Sequence, residues 1–512
     1  MTPVLALQLM FLACALPHVK AETKSDFLNA RANLLSLEHG LKTGGDLALD
    51  DVEQAVNKVL MALKVKELDT ALGSGSFPPS THFFHAKSAI EQSKVFQFIR
   101  KMPKGAALHL HDDSLTDLSW LVKNATYQPD CFMCLNRQHG MLQFTFSGSW
   151  PAQDPNCNWR RVNNTRIETG NATKFDAELV ANMSLIREDP KMAYPTQAAV
   201  WKAFEGVLTV ANGLIFYSPV FKAYFYEALR EFYEDNVQYI ELRGLLPQIY
   251  ELDGTTHDEE WVVAAYKEVT EQFVKEHPDF SGAKFIYSSI RAFNQSDIAK
   301  DVAKALKLRA KFPSFFAGYD LVGQEDPGHP LVYFLDTLLQ PGQQKPPLDL
   351  PYFFHAGETD WEGMAVDNNI LDAILLNTTR IGHGFALAKH PVAMDLARKK
   401  GIPIEVCPIS NQVLKLVDDL RDHPVSFLLA QGHPVVISAD DPSVWGAKGL
   451  SYDFYQAFMA MGGVDADLAF LKKLALDSLR YSSMTEGERS KAMELFQQKW
   501  KSFLHDVLSN GI

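Results

Sequence analysis

Apolar residues recur three and four positions apart in "DDVEQAVNKVLMALKVKELDTAL" (50–72), which opens on Asp50 and Asp51. This spacing predicts an amphipathic helix, and the acidic start suits the positive end of a helix dipole. "FPPS" interrupts the pattern. "HAKSAIEQSKVFQFIRKM" (85–102) then repeats helical spacing as one amphipathic run until Pro103 stops it. Residues 22–102 therefore read as an added N-terminal helical unit. From residue 105 the pattern changes to short apolar runs, each ending in polar groups: 105–113, 237–246, 284–290, 315–323, 350–359, 380–384, 402–411 and 434–441. Helical stretches such as "DEEWVVAAYKEVTEQFVKEH" and "DIAKDVAKALKLRAKF" alternate with them. That alternation predicts parallel βαβ units, and eight of them suggest a closed barrel. The expected class is α/β, a (β/α)8 TIM-type barrel built from 103–123 and 183–512. A doubly wound open sheet is the alternative, but no G-x-G-x-x-G follows the first strand and no Walker motif occurs.

The stretch 124–182 differs. It is rich in Asn, Pro, Cys and Thr with weak periodicity, and reads as a subdomain inserted after strand one. Cys131, Cys134 and Cys157 lie in it, and Cys407 lies far away in an apolar run. Asn-x-Ser/Thr sequons stand at Asn124, Asn163, Asn171, Asn182, Asn294 and Asn377, four of them within this stretch. At the other end, "VLALQLMFLACAL" is too short to span a bilayer comfortably and leads into Val19 and Ala21, as in a signal peptide covering residues 1–21. These features predict an exported glycoprotein with no membrane span, whose insertion cysteines pair locally in an oxidising compartment. "CFMC" lacks a second C-x-x-C that would make it a zinc knuckle. With 512 residues, 46% of them hydrophobic, the chain can bury a large core. A net charge of -13 argues against nucleic acid as a main partner.

The strand ends carry the candidate chemistry. "ALHLHDD" offers His109 and His111, which point the same way on a strand, followed by Asp112 and Asp113. "FFHAGETDW" offers His355 and Glu358, "IGHG" offers His383, and "ISADDP" offers Asp440 and Asp441. Singly each has an ordinary structural explanation: a satisfied core histidine, or an aspartate that caps a helix. Jointly they converge on one barrel mouth. Three histidines and one carboxylate suit Zn²⁺, which lowers the pKa of a bound water from about 16 to about 7. His383 and Glu358 are left over for acid–base work.

"MPKGAALHLHDD", "HAGE", "IGHG" and "SADDP", in that order, resemble the adenosine/AMP deaminase branch of the metal-dependent amidohydrolases. The leader, the N-terminal helices, the Cys-rich insertion and "IEVCPISNQVL" narrow the resemblance to the adenosine deaminase-related growth factors, a secreted family. The resemblance implies one Zn²⁺ per chain on His109, His111, His355 and Asp440. Glu358 would give a proton to purine N1, and His383 would take one from the activated water. Asp441 would hold N7, and Gly323 would offer a backbone N–H to N3. Asp112, with Asp113 as the alternative, would bind the ribose, while Trp201, Phe204 and Glu205 would line the pocket. A Cys134–Cys157 disulfide is implied, with Cys131 the local alternative partner. So is a homodimer built on the N-terminal unit. Two departures stand out: H-L-H-D-D replaces the commoner H-x-H-L-D-G, and Ile290 stands where secreted relatives carry a histidine near the substrate.

The expected function is hydrolysis of adenosine and 2′-deoxyadenosine to inosine and 2′-deoxyinosine plus ammonia, which would modulate extracellular adenosine signalling. The alternative is a growth factor or receptor ligand in which catalysis is secondary, with 124–182 binding a cell-surface receptor or a glycosaminoglycan. An AMP deaminase would need a cationic phosphate cradle, which the sequence does not place. A lysosomal pool beside the extracellular one stays open.

Overall fold

The computed structural model describes residues 23–512; residues 1–21, expected to be a signal peptide, lie outside the described residues. Four helices open it: α1 (Lys24–Leu41), α2 (Asp51–Ser74), α3 (Phe83–Gln92) and α4 (Lys94–Lys101). Helix α2 starts where the acidic pair predicts, with a capping box between Asp50 and Glu53. The run expected as one helix over 85–102 is two. Ser93 adopts an extended conformation, closes α3 with its N–H on Ile90 and caps α4 by accepting from the N–H of Phe96. A serine that bonds its own backbone neighbours breaks a periodicity that apolar spacing alone would continue. Helix α1 buries none of its residues and exposes Phe27, Leu28, Leu34 and Leu35.

Strand β1 (Gly105–His111) and α5 (Leu118–Ala125) lead into the inserted stretch. There β2 (Cys131–Leu135), β3 (Leu142–Phe146) and β4 (Arg160–Arg161) form an antiparallel sheet in the order β3-β2-β4, followed by α6 (Val162–Glu168) and α7 (Ala172–Asn182). Cys134 and Cys157 form a disulfide, and Cys131 and Cys407 are free and buried. Five of the sequon asparagines are exposed and Asn163 is half-buried.

Helices α8 (Gln197–Ile215) and α9 (Ser218–Glu234) return the chain to a parallel arrangement. β5 (Val237–Gly244), α10 (Glu259–Glu276), β6 (Gly282–Ile290), α11 (Gln295–Lys311) and β7 (Phe316–Val322) alternate as expected. β1, β5, β6 and β7 make one parallel sheet in that order. β8 (His355–Ala356), β9 (Ile381–His383), β10 (Ile404–Val406) and β11 (Val435–Ile437) make a second. The sheets meet at both edges through parallel bridges, Tyr319 with Tyr352 and Leu110 with Asp440. The second sheet's strands are shorter than the apolar runs that predict them. Pro351, Pro403 and Pro434 precede three of them and remove backbone donors. The positive φ of His383 (58°) and Asp440 (59°) turns the chain out of the ladder at two of the far ends. Among the described residues no helix is long and apolar enough to cross a membrane.

Candidate active site

Alternation along β1 sends His109 and His111 to one side, and the bridge from Leu110 to Asp440 brings the end of β11 beside them. The main chain stitches this join: the Asp440 N–H donates to the His109 carbonyl, and the His111 N–H donates to the Asp440 carbonyl. From the second sheet His355 enters at the start of β8. His109 Nε2 lies 3.0 Å from His355 Nε2, and Asp440 Oδ1 lies 3.1 Å from His111 Nε2 and 3.4 Å from His109 Nε2. The donor atoms of His109, His111, His355 and Asp440 all fall within 4.8 Å of one another. A side chain on Gly382 would crowd the site, because its Cβ would sit 3.0 Å from His109 Cε1 and 3.1 Å from the His355 Cα, and these neighbours would have to give way slightly.

Buried carboxylates fix the state of two of these rings. His109 Nδ1 lies 2.8 Å from Glu405 Oε2, and His355 Nδ1 lies 2.7 Å from Asp320 Oδ2. Despite full burial, Arg243 and Arg380 hold Glu405 ionised well below the usual carboxylate range, and Arg243, with the hydrogen bond from the His355 ring, does the same for Asp320. An ionised carboxylate only accepts, so both Nδ1 atoms carry hydrogen. Burial pushes His355 down to about 3, which keeps the ring neutral. The neutral His355 ring therefore presents a bare Nε2, 3.0 Å from His109 Nε2. Asp440 Oδ1 beside them is buried with no hydrogen-bond donor. A bare ring nitrogen and an orphaned carboxylate oxygen converging with two more histidine nitrogens are a donor set that suits a metal ion, so the cluster fits one, and two of its rings carry outer partners as metal-bound histidines do.

Above the cluster, His383 Nε2 lies 3.6 Å from Glu358 Oε1 and 3.7 Å from Asp440 Oδ2. Burial, then the charges of Asp440 and Glu325, push Glu358 well above its ordinary value, in the direction that favours its protonated form. The Gly357 and Glu358 N–H groups donate to Glu325 at 2.9 and 2.6 Å, and Asn369 Nδ2 donates to it at 2.6 Å, which locks the "HAGE" turn. Burial and the Asp440 charge raise Asp441, whose Oδ1 accepts from Ser114 at 2.5 Å. Asp112 accepts from Tyr266 at 2.6 Å, and burial followed by the Asp113 charge raises it to about 7; Asp113 accepts from Asn212 at 2.9 Å.

A cavity of about 570 Å³ opens onto the cluster, lined by Asp112, Trp201, Phe204, Glu205, Gly323 and Asp441 among others. Asp113 and Ile290 face the same cavity. The predicted ligand, acid–base and pocket residues line this space, except His109, which is fully buried behind it against His355. Sequence reasoning passed over Glu325, Asp320, Glu405, Arg243 and Arg380. The signal for Asp320 and Glu405 was present: each is a lone carboxylate inside an apolar strand run, "GYDLVG" and "IPIEVCP". The partners that hold them come from other strands, so nothing local announced the network.

Comparison with known proteins agrees with this geometry. Residues 171–499 match the "Adenosine deaminase" family model and residues 7–99 the "Adenosine/AMP deaminase N-terminal" model. Adenosine deaminase 2-A of Danio rerio is 50% identical over 98% of this chain and 97% of its own length. The chain belongs to the adenosine deaminase family. As an adenosine deaminase it is an enzyme, a hydrolase of that family. Its fold is shared by more distant structures. The Arabidopsis protein ADAL, solved with IMP, superposes with a TM-score of 0.53 at 18% identity, covering 80% of this deaminase and 99% of ADAL. An amidohydrolase from Burkholderia ambifaria, solved with bound Zn, superposes with a TM-score of 0.50 at 17% identity, covering 81% and 95%.

Proposed function

We propose that this deaminase is a secreted zinc enzyme that hydrolyses adenosine and 2′-deoxyadenosine to inosine and 2′-deoxyinosine plus ammonia. The observation that carries the metal is the convergence of His109 Nε2 and His355 Nε2, 3.0 Å apart, on the unpartnered Asp440 Oδ1. His109, His111, His355 and Asp440 would hold one Zn²⁺ per chain. Zinc there supplies a positive charge that acidifies a water and offsets negative charge developing on oxygen. The remaining roles fall to the chain's own groups. Glu358, protonated, gives its proton to purine N1, which makes C6 electrophilic. Purine N7 is an acceptor, so the raised pKa of Asp441 supports its donating there. Gly323 offers its N–H to N3, Asp112 binds the ribose, and Trp201, Phe204 and Glu205 close the pocket around the nucleoside. His383 orients the reacting oxygen from above.

The same proposal takes the eight parallel strands as one closed (β/α)8 barrel, supported by the bridges at both sheet edges. It assigns 1–21 to a signal peptide, 22–102 to dimerisation, and 124–182 to a glycosylated, receptor-binding insertion. The apolar surface of α1, which buries nothing within the chain, supports the second assignment. No metal-cluster residue comes from the insertion, so growth-factor activity and control of extracellular adenosine can coexist. The test incubates purified protein with adenosine, AMP and adenine and follows loss of the adenine absorbance, with and without a chelator. Glu358→Gln should keep zinc and lose at least about 10²-fold in turnover; His355→Ala should lose metal and activity together. A Glu358→Gln enzyme near the wild-type rate would sink the assignment.

A further inference from the structure

A hydrogen-bond chain runs away from the site behind His383, and one backbone group sets its direction. The Val425 N–H donates to His423 Nδ1 at 3.1 Å. A backbone N–H cannot accept, so Nδ1 of His423 is a lone pair and the ring's hydrogen sits on Nε2. That Nε2 lies 2.9 Å from Asn411 Oδ1, which therefore accepts from it. The Asn411 amide then has one orientation, and its Nδ2 donates to His383 Nδ1 at 3.1 Å. His383, His423 and Asn411 are all buried, with exposures of 2%, 2% and 0%, so water does not compete for these groups.

We infer that Asn411 and His423 are positioning residues that fix neutral His383 with its hydrogen on Nε2, so that the ring faces the metal site as a hydrogen-bond donor. Nε2 is the nitrogen that faces the site, 3.6 Å from Glu358 Oε1 and 3.7 Å from Asp440 Oδ2. A base at this position would need a bare Nε2. The role that the family resemblance implies, taking a proton from the activated water, is one this tautomer does not fill. His383 instead holds the attacking water by donating to its oxygen, and the proton that the water gives up goes to Glu358, which is a carboxylate once its own proton has passed to N1. The neutral state follows from the same bond, because a protonated ring would have no lone pair on Nδ1 to accept from the Asn411 amide. The inference deepens the proposed deaminase mechanism and rests on that reading for the meaning of the tautomer. The tautomer itself rests on geometry alone.

The experiment is nitrogen NMR of the metal-loaded full-length protein labelled with ¹⁵N-histidine, with the His383 signals assigned by their loss in His383→Gln. Wild type should show a pyrrole-type Nε2 and a pyridine-type Nδ1 for His383. In Asn411→Asp the new carboxylate accepts from both rings, and the His383 assignment should invert to a pyrrole-type Nδ1. A wild-type spectrum with hydrogen on Nδ1 overturns the inference, as does an Asn411→Asp protein that keeps the wild-type pattern. If Asn411→Asp does not fold, the wild-type spectrum still decides. A protein with the expected tautomer that fails to deaminate adenosine would refute the proposed substrate and leave the inference standing.

Discussion

Replacing Glu405 by Gln should weaken metal binding and the fold together, and a second substitution in the same network separates the two effects. Glu405 accepts from His109 Nδ1 at 2.8 Å, from Arg243 at 2.6 Å and from Arg380 at 2.5 Å, and all four side chains are fully buried. Glutamine keeps one acceptor oxygen and turns an N–H2 toward a group that also donates. Disrupting a buried ion pair by removing one partner costs about 3–5 kcal/mol. Loss of a ligand's outer partner costs about 10–100-fold in metal affinity. Glu241 shares the network by accepting from Arg380 at 2.6 Å and from the Ser483 N–H at 2.6 Å, but it touches no proposed ligand. Glu241→Gln should therefore lose stability of the same order and keep its metal affinity. Zinc competition against a chromophoric chelator reads the affinity, and denaturant unfolding in excess zinc reads the fold. Equal losses of metal affinity in the two variants, or none in Glu405→Gln, would refute the claim that Glu405 orients His109.

Gly382→Ala should lower metal affinity and activity with little loss of secondary structure, because the new methyl meets His109 Cε1 at 3.0 Å; isothermal titration with zinc checks it. Glu231, which accepts from the Asp117 N–H, is raised from 4.5 to about 7 by burial, so the folded state holds a proton that the unfolded state gives up between those pH values. Its contribution is full below about pH 4.5 and is lost as pH rises through about 7. Glu231→Gln should match wild type in denaturant melts at acid pH and exceed it above pH 7; an advantage confined to acid pH would reverse the sign and refute the argument. Cys157→Ser opens a bridge with a sequence separation of 23 and should destabilise the insertion by about 3 kcal/mol while leaving zinc content intact, read by limited proteolysis beside metal analysis.

The strand positions and the ligand set were legible because each depends on a local signal. Apolar runs ending in His or Asp mark a parallel strand and its active end, as "ALHLHDD" and "ISADDP" do. The break at Ser93 was not legible, since apolar spacing continues across it and only the cap geometry reveals two helices. The antiparallel sheet of the insertion was hidden for a related reason: β4 is two residues long and its partner β2 is the "CFMC" segment, singled out for its cysteines. The arginine–carboxylate network needed the fold, because Arg243, Asp320 and Glu405 sit on different strands, Arg380 just precedes a fourth, and they meet only inside it. Asn411 appeared in the sequence as one letter of "CPISN", and its orientation comes from the Val425 N–H on a later helix.

The join between β1 and the end of β11 links distant parts of the chain: the His109 N–H donates to the Ser438 hydroxyl across a sequence separation of 329. Contacts that close so long a loop are slow to form, and they come after the local βαβ units have something to hold together. Two proposed ligands lie on one side of that join and Asp440 on the other, with reciprocal main-chain hydrogen bonds between them. The complete ligand set therefore exists only in a chain whose first and last strands have met. Tight zinc uptake during refolding should lag behind the return of helix signal, so that the metal serves as a clock for the final step of folding.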